Sequence, residues 1–329
     1  MVYEEFVSEW HNSSEYVSVH TSGSTGIPKQ MYVEKKRMAA SARTTCEFLG
    51  LKAGDTALLC MPLDYIAGKM MVVRSIVCGL KLIYVEPCGH PLKDIRQQCK
   101  GNMTFAAMVP MQVYNSMQVP EEREILCSIK HLIIGGGAIS NSLEAGLKDF
   151  PNAVWSTYGM TETLSHIALR RINGKDSSCW YTPFNGISVK VNHESCLVID
   201  APQVCKEVIT TNDIAEINAD GRRFKILGRK DNTVCSGGIK IQIEEVEDAL
   251  RPYMKTPFLI TKKKDDKFGE ILVLMMESGD MPATKEICKK VLPKYKQPRI
   301  YLHVEKLPMT ETGKPARQKA MFMVRDKEG

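Results

Sequence analysis

No apolar run in the 329-residue sequence approaches the ~20 residues that a membrane-spanning helix needs. The chain also opens without a secretory signal sequence. Its composition, 43% hydrophobic and 25% charged, is that of an ordinary water-soluble protein, and its length is sufficient for two domains. We therefore expect a cytoplasmic protein with no membrane span.

The 11 cysteines show neither CxxC pairs nor a regular spacing. A disulfide framework or a Cys/His metal site would need such a spacing, so we expect neither. Reduced, mostly buried thiols are the better interpretation for a cytoplasmic protein.

Positive charge is not concentrated either. The net charge is +6, but the only run of three lysines is at residues 262–264, and two aspartates follow it directly. A nucleic-acid-binding protein needs a coherent basic stripe or a stacking motif. We expect no nucleic-acid partner and only a weak preference for anionic ligands.

The most distinctive stretch present is the glycine- and hydroxyl-rich segment at residues 19–29, which follows a β-prone run at residues 16–19. Glycine lets backbone N–H groups approach a phosphate, hydroxyls donate to its oxygens, and Lys29 offers a positive charge. The segment is not a P-loop, because Gly26 is followed by Ile27 and Pro28 instead of Lys and Ser or Thr. A phosphate-binding loop and an ordinary surface connection both remain open.

Alternating hydrophobic patterns predict an α/β protein. Strands and helices alternate up to about residue 155, which predicts a mostly parallel sheet. Short alternating segments from residue 187 to 227 indicate a small antiparallel sheet or barrel, and a compact α+β module follows. We expect a large N-terminal domain at 1–229 (α/β to about 180, β-rich at 181–229) and a small, mobile C-terminal domain at 230–329. The expected helices are at 1–15, 34–49, 66–78, 92–99, 244–250 and 285–292.

Two further segments follow predicted strands, where ligands bind in α/β folds. Gly135-Gly136-Gly137 lacks the third glycine of a dinucleotide fingerprint, since Ser140 stands there. The ribbon could stack against an adenine ring or form a tight turn. Glu162 lies among hydroxyls and could hold a divalent cation or cap a helix.

Six motifs occur in the order and rough spacing of the acyl-adenylate-forming enzymes, the superfamily of acyl-CoA synthetases, peptide-synthetase adenylation domains and luciferases. They lie at residues 21–29, 158–163, 212–213, 228–231, 236–238 and 312–314. Within the superfamily the chain most resembles a short form of the o-succinylbenzoate–CoA ligases of menaquinone biosynthesis, through residues 61–71, 158–169 and 236–247.

The resemblance implies two half-reactions. A carboxylate attacks the α-phosphate of Mg²⁺-ATP to give acyl-AMP and pyrophosphate, and coenzyme A then displaces AMP. Positioning and charge neutralisation would dominate catalysis. The implied catalytic residues are Lys314, Thr161 and Glu162, with Glu162 as the Mg²⁺ ligand. The implied nucleotide-binding residues are Thr21, Ser22, Gly23, Ser24, Thr25, Gly26, Lys29, Gly135, Gly136, Gly137, Tyr158, Gly159, Asp213 and Arg229.

The resemblance also places a hinge at Asp231, about which the small domain would rotate between the two half-reactions. Ser236, Gly237 and Gly238 would lie on the face used for thioester formation. Candidate substrate-binding residues are Tyr65, Lys69, Arg74 and His166. Arg74 is the better candidate for a second carboxylate, because its planar fork matches that group. A helix-end charge directed to solvent is the alternative for Arg74, and a core histidine is the alternative for His166.

The chain departs from the family pattern at several places. Only 20 residues precede Thr21, where relatives have a large subdomain. Either the remaining elements close the acyl pocket or a second chain does, and we expect a homodimer. Tyr65 stands where many relatives have histidine, and Asn212 stands where glycine is usual. Two alternative functions remain: a CoA ligase for another aryl or short acyl acid, and a non-catalytic nucleotide-binding protein.

Overall fold

The computed structural model describes residues 1–20, 30–93, 95, 103–310 and 315–326. Residues 21–29, Lys314 and most of the helix expected at 92–99 lie outside these ranges. The described helices are α1 (Tyr3–His11), α2 (Lys35–Leu49), α3 (Ile66–Cys78), α4 (Pro110–Gln118), α5 (Pro120–Ser128), α6 (Asn141–Leu147), α7 (Ile243–Leu250), α8 (Met281–Val291) and α9 (Arg317–Asp326). No helix in these ranges is long and apolar enough to cross a membrane.

The largest sheet has seven strands in the order β4-β3-β5-β6-β7-β8-β9. Strands β3 to β7 are parallel, whereas β8 and β9 add to the edge in antiparallel pairing. All four residues of β5 are buried, as expected for a strand covered on both faces. The seven strands are β3 (Thr56–Leu59), β4 (Lys81–Tyr84), β5 (Phe105–Met108), β6 (His131–Ile134), β7 (Ala153–Gly159), β8 (His166–Arg171) and β9 (Thr182–Pro183).

Helices α2 and α3 cover this sheet and pack on each other. Both end at glycines in the left-handed conformation, Gly50 (φ 66°) and Gly79 (φ 68°), whose N–H groups bond back to the last helical turn. Eight consecutive residues of α3, from Gly68 to Ser75, are buried. They include Lys69 and Arg74, two charges inside the protein core.

A small antiparallel pair lies beside the main sheet. Strands β1 (Tyr16–His20) and β2 (Gln30–Glu34) pair in continuous register from Tyr16 opposite Glu34 to His20 opposite Gln30. The two strand ends on either side of residues 21–29 are therefore neighbours.

The β-rich segment forms a four-stranded antiparallel sheet in the order β10-β11-β12-β13. Its strands are β10 (Ser188–Val191), β11 (Cys196–Asp200), β12 (Ile209–Ile217) and β13 (Phe224–Arg229). Register places Asp213 of β12 opposite Arg229 of β13, with an irregularity directly after Ile214. This pairing brings a carboxylate and a guanidinium to one position at the end of the sheet.

The C-terminal residues form another sheet, in the order β15-β14-β17-β16 with β18 parallel to β17. The strands are β14 (Thr233–Ser236), β15 (Ile239–Gln242), β16 (Phe258–Asp265), β17 (Gly269–Met276) and β18 (Ile300–His303). None of the four buried hydrophobic clusters combines residues from before and after position 230. The predicted α/β class with a small α+β module is confirmed, while the domain limits and the mobility of that module stay predictions.

Candidate active site

Tyr158 and Arg229, at the ends of β7 and β13, meet Asp213 in the middle of β12. The phenol of Tyr158 donates a hydrogen bond of 2.6 Å to Asp213 Oδ2, and Arg229 Nη1 donates one of 3.2 Å to Asp213 Oδ1. The Tyr158 ring packs edge-on against Phe224, with centroids 5.1 Å apart. Because a carboxylate accepts about four hydrogen bonds, Asp213 keeps acceptor capacity for the two hydroxyls of a ribose.

The surroundings keep the Tyr158 phenol and the Arg229 guanidinium protonated. Burial, followed by the charge of Asp213, raises the pKa of Tyr158 well above its ordinary value, so its phenol stays a donor. Burial opposes the charge of Arg229, but the hydrogen bond to Asp231 and the charges of Asp213 and Asp231 outweigh it and raise its pKa. The site therefore offers an oriented carboxylate flanked by two donors.

The glycine ribbon follows β6 at the same edge of the sheet. A Cβ added to Gly135 would approach Thr157 Oγ1 of β7 more closely than the 3.0 Å that real Cβ atoms keep. Gly136 has φ +77°, a conformation that favours glycine. The ribbon thus lies directly against the strand that carries Tyr158.

Glu162 lies in the middle of a 3-10 turn, Thr161–Thr163, that follows β7. Its side chain is exposed and makes no hydrogen bond or ion pair with the described residues. The turn is held by the buried Thr163, whose Oγ1 accepts from Met160 N at 3.0 Å and donates to Ser165 O at 2.8 Å. Met160, and not Glu162, precedes the turn, so the alternative role of Glu162 as a helix cap does not apply.

A single free carboxylate fits the needs of Mg²⁺ beside a nucleotide, since this ion usually takes one or two carboxylates and completes its shell with phosphate and water oxygens. The described ranges contain no cluster of three potential metal ligands. A metal at Glu162 would therefore depend on oxygens supplied by the substrate.

The family model for AMP-binding enzymes matches residues 4–202, more than half of the chain. This chain belongs to the AMP-binding enzyme family. An acyl-CoA synthetase (AMP-forming)/AMP-acid ligase II-like protein from Dyadobacter fermentans is 30% identical, with a TM-score of 0.65 over 97% of this chain and 92% of that one. The predicted superfamily is thereby confirmed.

Further similarities concern the 2-succinylbenzoate–CoA ligases. The Bacillus cereus enzyme is 24% identical over 94% of this chain and 70% of its own length. The o-succinylbenzoate CoA synthetase of Bacillus subtilis superposes in its complex with OSB-AMP with a TM-score of 0.78, at 21% identity over 92% of this chain and 68% of that chain. A structure of that synthetase with ATP and magnesium ion superposes with a TM-score of 0.77. The predicted enzyme class, an AMP-forming acid–CoA ligase, is supported by these names.

Arg74 of this AMP-binding enzyme is buried in a polar cluster with Thr45, Ser165 and His166. Its Nη2 donates to Ser165 Oγ at 2.7 Å and lies 3.5 Å from Thr45 Oγ1, while its Nε has no partner. No carboxylate of the described residues pairs with it. Burial lowers the pKa of Arg74 to about 10, so the guanidinium is charged at neutral pH.

His166 is the neutral member of this cluster. Burial, and then the charge of Arg74, lower its pKa well below the ordinary value. Thr45 donates its hydroxyl hydrogen to Ser41 O at 3.1 Å, so we infer that Nε2–H of His166 donates to Thr45 Oγ1, 3.1 Å away. Its Nδ1 then accepts from Ser165 Oγ at 3.3 Å. A guanidinium that no carboxylate of the described residues pairs with therefore lies among neutral hydrogen-bonding groups.

Lys69 has a different environment, although it lies on the same helix. Its ammonium donates to Ser18 O at 2.6 Å, lies 3.7 Å from Glu9 and stands 5.1 Å above the Phe6 ring. Tyr65, just before α3, forms a parallel bridge with His20. Both residues thus attach α3 to α1 and β1, at the strand that leads into residues 21–29. Lys69 is already paired within the fold, which leaves Arg74 as the stronger candidate for an anionic substrate group.

The predicted hinge residue Asp231 lies in a 3-10 turn, Lys230–Asn232, directly after β13. Its Oδ2 accepts from Arg229 Nη2 at 3.0 Å and from Asn212 Nδ2 at 3.3 Å. Arg229 therefore bridges Asp213 and Asp231, which links Asp213 to the candidate hinge. The hinge role itself stays a prediction.

Ser236, Gly237 and Gly238 lie at the turn between β14 and β15. Ser236 pairs with Ile239, and the two glycines have φ +55° and +83°, as a two-residue type I′ turn requires. These geometric demands explain the glycines without a ligand. A role in thioester formation remains untested, as do the roles of residues 21–29 and Lys314.

Thr45 and Ser165 lie in the polar cluster around Arg74, and no sequence motif predicted them. Thr45 is 29 positions from Arg74 and Ser165 is 91 positions away, so no local pattern connects them. The one available signal was the position of Ser165 beside His166.

Proposed function

We propose that this AMP-binding enzyme is an ATP-dependent acid–CoA ligase that activates o-succinylbenzoate as its acyl-AMP and transfers it to coenzyme A. The observation that carries the choice of acid is Arg74, a buried charge without a carboxylate partner among the described residues. An aromatic dicarboxylate keeps one carboxylate after the other has been activated, and that group would be the missing partner. The likeness to 2-succinylbenzoate–CoA ligases supports the same choice.

In the first half-reaction the ribose of ATP would bind at Asp213, with Tyr158 and Arg229 holding that carboxylate in place. The glycine ribbon would contact the adenine. Glu162 would hold Mg²⁺, which supplies positive charge against the triphosphate. An acid carboxylate then attacks the α-phosphorus, and the bond to the pyrophosphate oxygen breaks. Residues 21–29 and Lys314 would bind the anionic groups of this step.

Arg74 would recognise the carboxylate that does not react. A charge-assisted, bidentate hydrogen bond inside the protein provides affinity and orientation together. The cavity beside His166 measures about 10 Å³, so binding of an aromatic acid would require its walls, and with them the turn just before His166, to move. Leu164, with φ 64°, gives that turn a strained backbone conformation.

In the second half-reaction the thiol of coenzyme A would attack the acyl carbon and release AMP. The turn at Ser236 to Gly238 would face the thiol after rotation about Asp231.

We also propose a homodimer in the cytoplasm; a monomeric mass by light scattering would contradict the dimer.

The experiment compares two acids in an assay of pyrophosphate release: o-succinylbenzoate and benzoylpropionate, the same acid without the ring carboxylate. We expect kcat/KM to favour the dicarboxylate by roughly 10- to 100-fold, the value of one charged hydrogen-bonded contact. Arg74→Met should abolish most of this preference. Arg43→Met, on the exposed side of α2, is the matched control and should preserve it.

Each other outcome has a distinct meaning. Equal use of the two acids by the unmodified enzyme would reject o-succinylbenzoate in favour of another aryl or short acyl acid. If a panel of acids produced no pyrophosphate while ATP still bound, the non-catalytic alternative would be correct.

A further inference from the structure

Two cysteines from neighbouring helices meet beneath Arg74. Cys46 lies in α2, and Cys78 is the last residue of α3. Both side chains line one surface pocket of about 350 Å³, and the neighbouring thiol has the largest influence on the pKa of each. Cys78 Sγ also lies 3.8 Å from the carbonyl oxygen of Ala42, one helical turn before Cys46. Helix packing therefore brings the two cysteine side chains to one pocket.

The two thiols differ in exposure and acidity. Cys46 is buried, with 4% of its surface exposed, whereas Cys78 is partly exposed. The hydrogen bond from Cys46, helped by the charges of Arg74 and Arg43, lowers the pKa of Cys78 to about 7. The hydrogen bond with Cys78 and burial raise the pKa of Cys46. An accessible, acidic thiol backed by a buried second thiol is the arrangement of an oxidation-sensitive pair.

We propose that Cys46 and Cys78 form an oxidation site, at which a hydroperoxide converts the two thiols into a disulfide between α2 and α3. Cys78 thiolate attacks one peroxide oxygen, the O–O bond breaks, and a sulfenic acid forms with release of one water or alcohol. Cys46 then attacks the Cys78 sulfur, the S–S bond forms, the S–O bond breaks, and a second water leaves. Two thiols are oxidised and one peroxide is reduced.

The site adjoins the proposed acid-binding cluster. Arg74 is one turn before Cys78, and Thr45 is next to Cys46, so the disulfide would join the two helices that hold the cluster. It would also remove the negative charge that a Cys78 thiolate places near Arg74, and this charge would compete with a substrate carboxylate. This effect on substrate rests on the proposed function, whereas formation of the disulfide does not.

The test treats the full-length protein with a small excess of hydrogen peroxide, blocks the remaining thiols with N-ethylmaleimide in denaturant, and maps the peptides by mass spectrometry. We expect a peptide pair joined through Cys46 and Cys78 that has lost two hydrogens and separates with dithiothreitol. The exposed Cys179 and Cys235 are internal controls and should be less oxidised. In Cys46→Ser, Cys78 should be trapped by dimedone as a sulfenic acid.

The proposal would be overturned if Cys46 and Cys78 stayed reduced at peroxide concentrations that oxidise Cys179 or Cys235. A disulfide between either residue and a different cysteine would also overturn it. The mapping uses the unmodified protein, so a variant that fails to fold leaves this test intact. If the Cys46–Cys78 disulfide forms but the protein has no ligase activity, the oxidation site is supported and the proposed function is rejected.

Discussion

The phenol oxygen of Tyr158 lies 2.6 Å from Asp213 Oδ2, across 55 positions of the chain. The strand β7 of the main sheet supplies the donor, and β12 of the antiparallel sheet supplies the acceptor. This hydrogen bond therefore joins two sheets at the place where the nucleotide is proposed to bind.

Replacing Tyr158 with phenylalanine should weaken ATP binding without unfolding the protein. The change removes one donor to Asp213 and leaves the ring packed on Phe224. A net hydrogen bond contributes about 0.5–1.5 kcal/mol, so we expect KM for ATP to rise roughly two- to tenfold. Steady-state pyrophosphate release measures this.

Tyr181→Phe is the matched control. Tyr181 also has a hydrogen-bonded phenol, 2.8 Å from Ser156 Oγ, and its ring lies 5.9 Å from that of Tyr158. It should leave KM for ATP unchanged. Equal increases in both variants would indicate a general loss of packing.

Glu162→Gln should separate metal binding from stability. The carboxylate has no partner among the described residues, so the thermal midpoint should not change. The Mg²⁺ concentration needed for half-maximal activity should rise about 10-fold or more, since an amide oxygen replaces a charged ligand. Thermal unfolding and a Mg²⁺ titration of activity provide the two measurements. If the Mg²⁺ concentration for half-maximal activity did not change, Glu162 would not be a ligand of the metal.

The buried His166 should make the protein less stable in acid. Its pKa is well below the ordinary 6.5 in the folded state, so the unfolded chain binds a proton that the folded chain excludes. This contribution to stability is complete above pH 6.5 and is lost as pH falls below it, with a slope of at most about 1.4 kcal/mol per pH unit.

Urea unfolding between pH 5 and 7 measures this slope. His166→Gln should make it shallower, whereas His193→Gln, at an exposed position, should leave it unchanged. An identical slope in the His166 variant would assign the acid sensitivity to other groups.

Loss of one buried ion pair should strongly lower the free energy of unfolding of the C-terminal module. Arg317 donates to both oxygens of Glu247, at 3.0 and 2.8 Å, and to Ile260 O at 2.8 Å. Arg317→Met leaves the buried Glu247 with the hydrogen bond from Ile260 N but without a counter-charge, which costs about 3–5 kcal/mol. Denaturant unfolding of the module reports the loss.

The exposed pair Lys289–Glu286 provides the comparison. Lys289→Met should change stability much less, because solvent screens exposed pairs. Similar losses in both variants would contradict the importance of burial.

Much of the fold follows from local sequence. The apolar pattern between Ile66 and Cys78 predicted α3 with the ends that the structure shows, because helix formation depends on periodicity and on a glycine that ends the helix. Motif order likewise identified Tyr158, Asp213 and Arg229, whose chemistry as hydroxyl, carboxylate and guanidinium does not depend on the rest of the fold.

The sequence by itself determined the enzyme family, the alternation of strands and helices, and the candidate residues for the nucleotide. The sequence favoured Arg74 over Lys69 only for the shape of its side chain, and only the tertiary structure showed that Lys69 is already paired. Five positions on a helix turn the side chain by about 140°, so the two cations face different neighbours. Lys69 contacts Ser18 and Glu9, while Arg74 reaches Ser165, 91 positions away. Packing between distant segments decides which charge is already paired, and no local pattern contains that information.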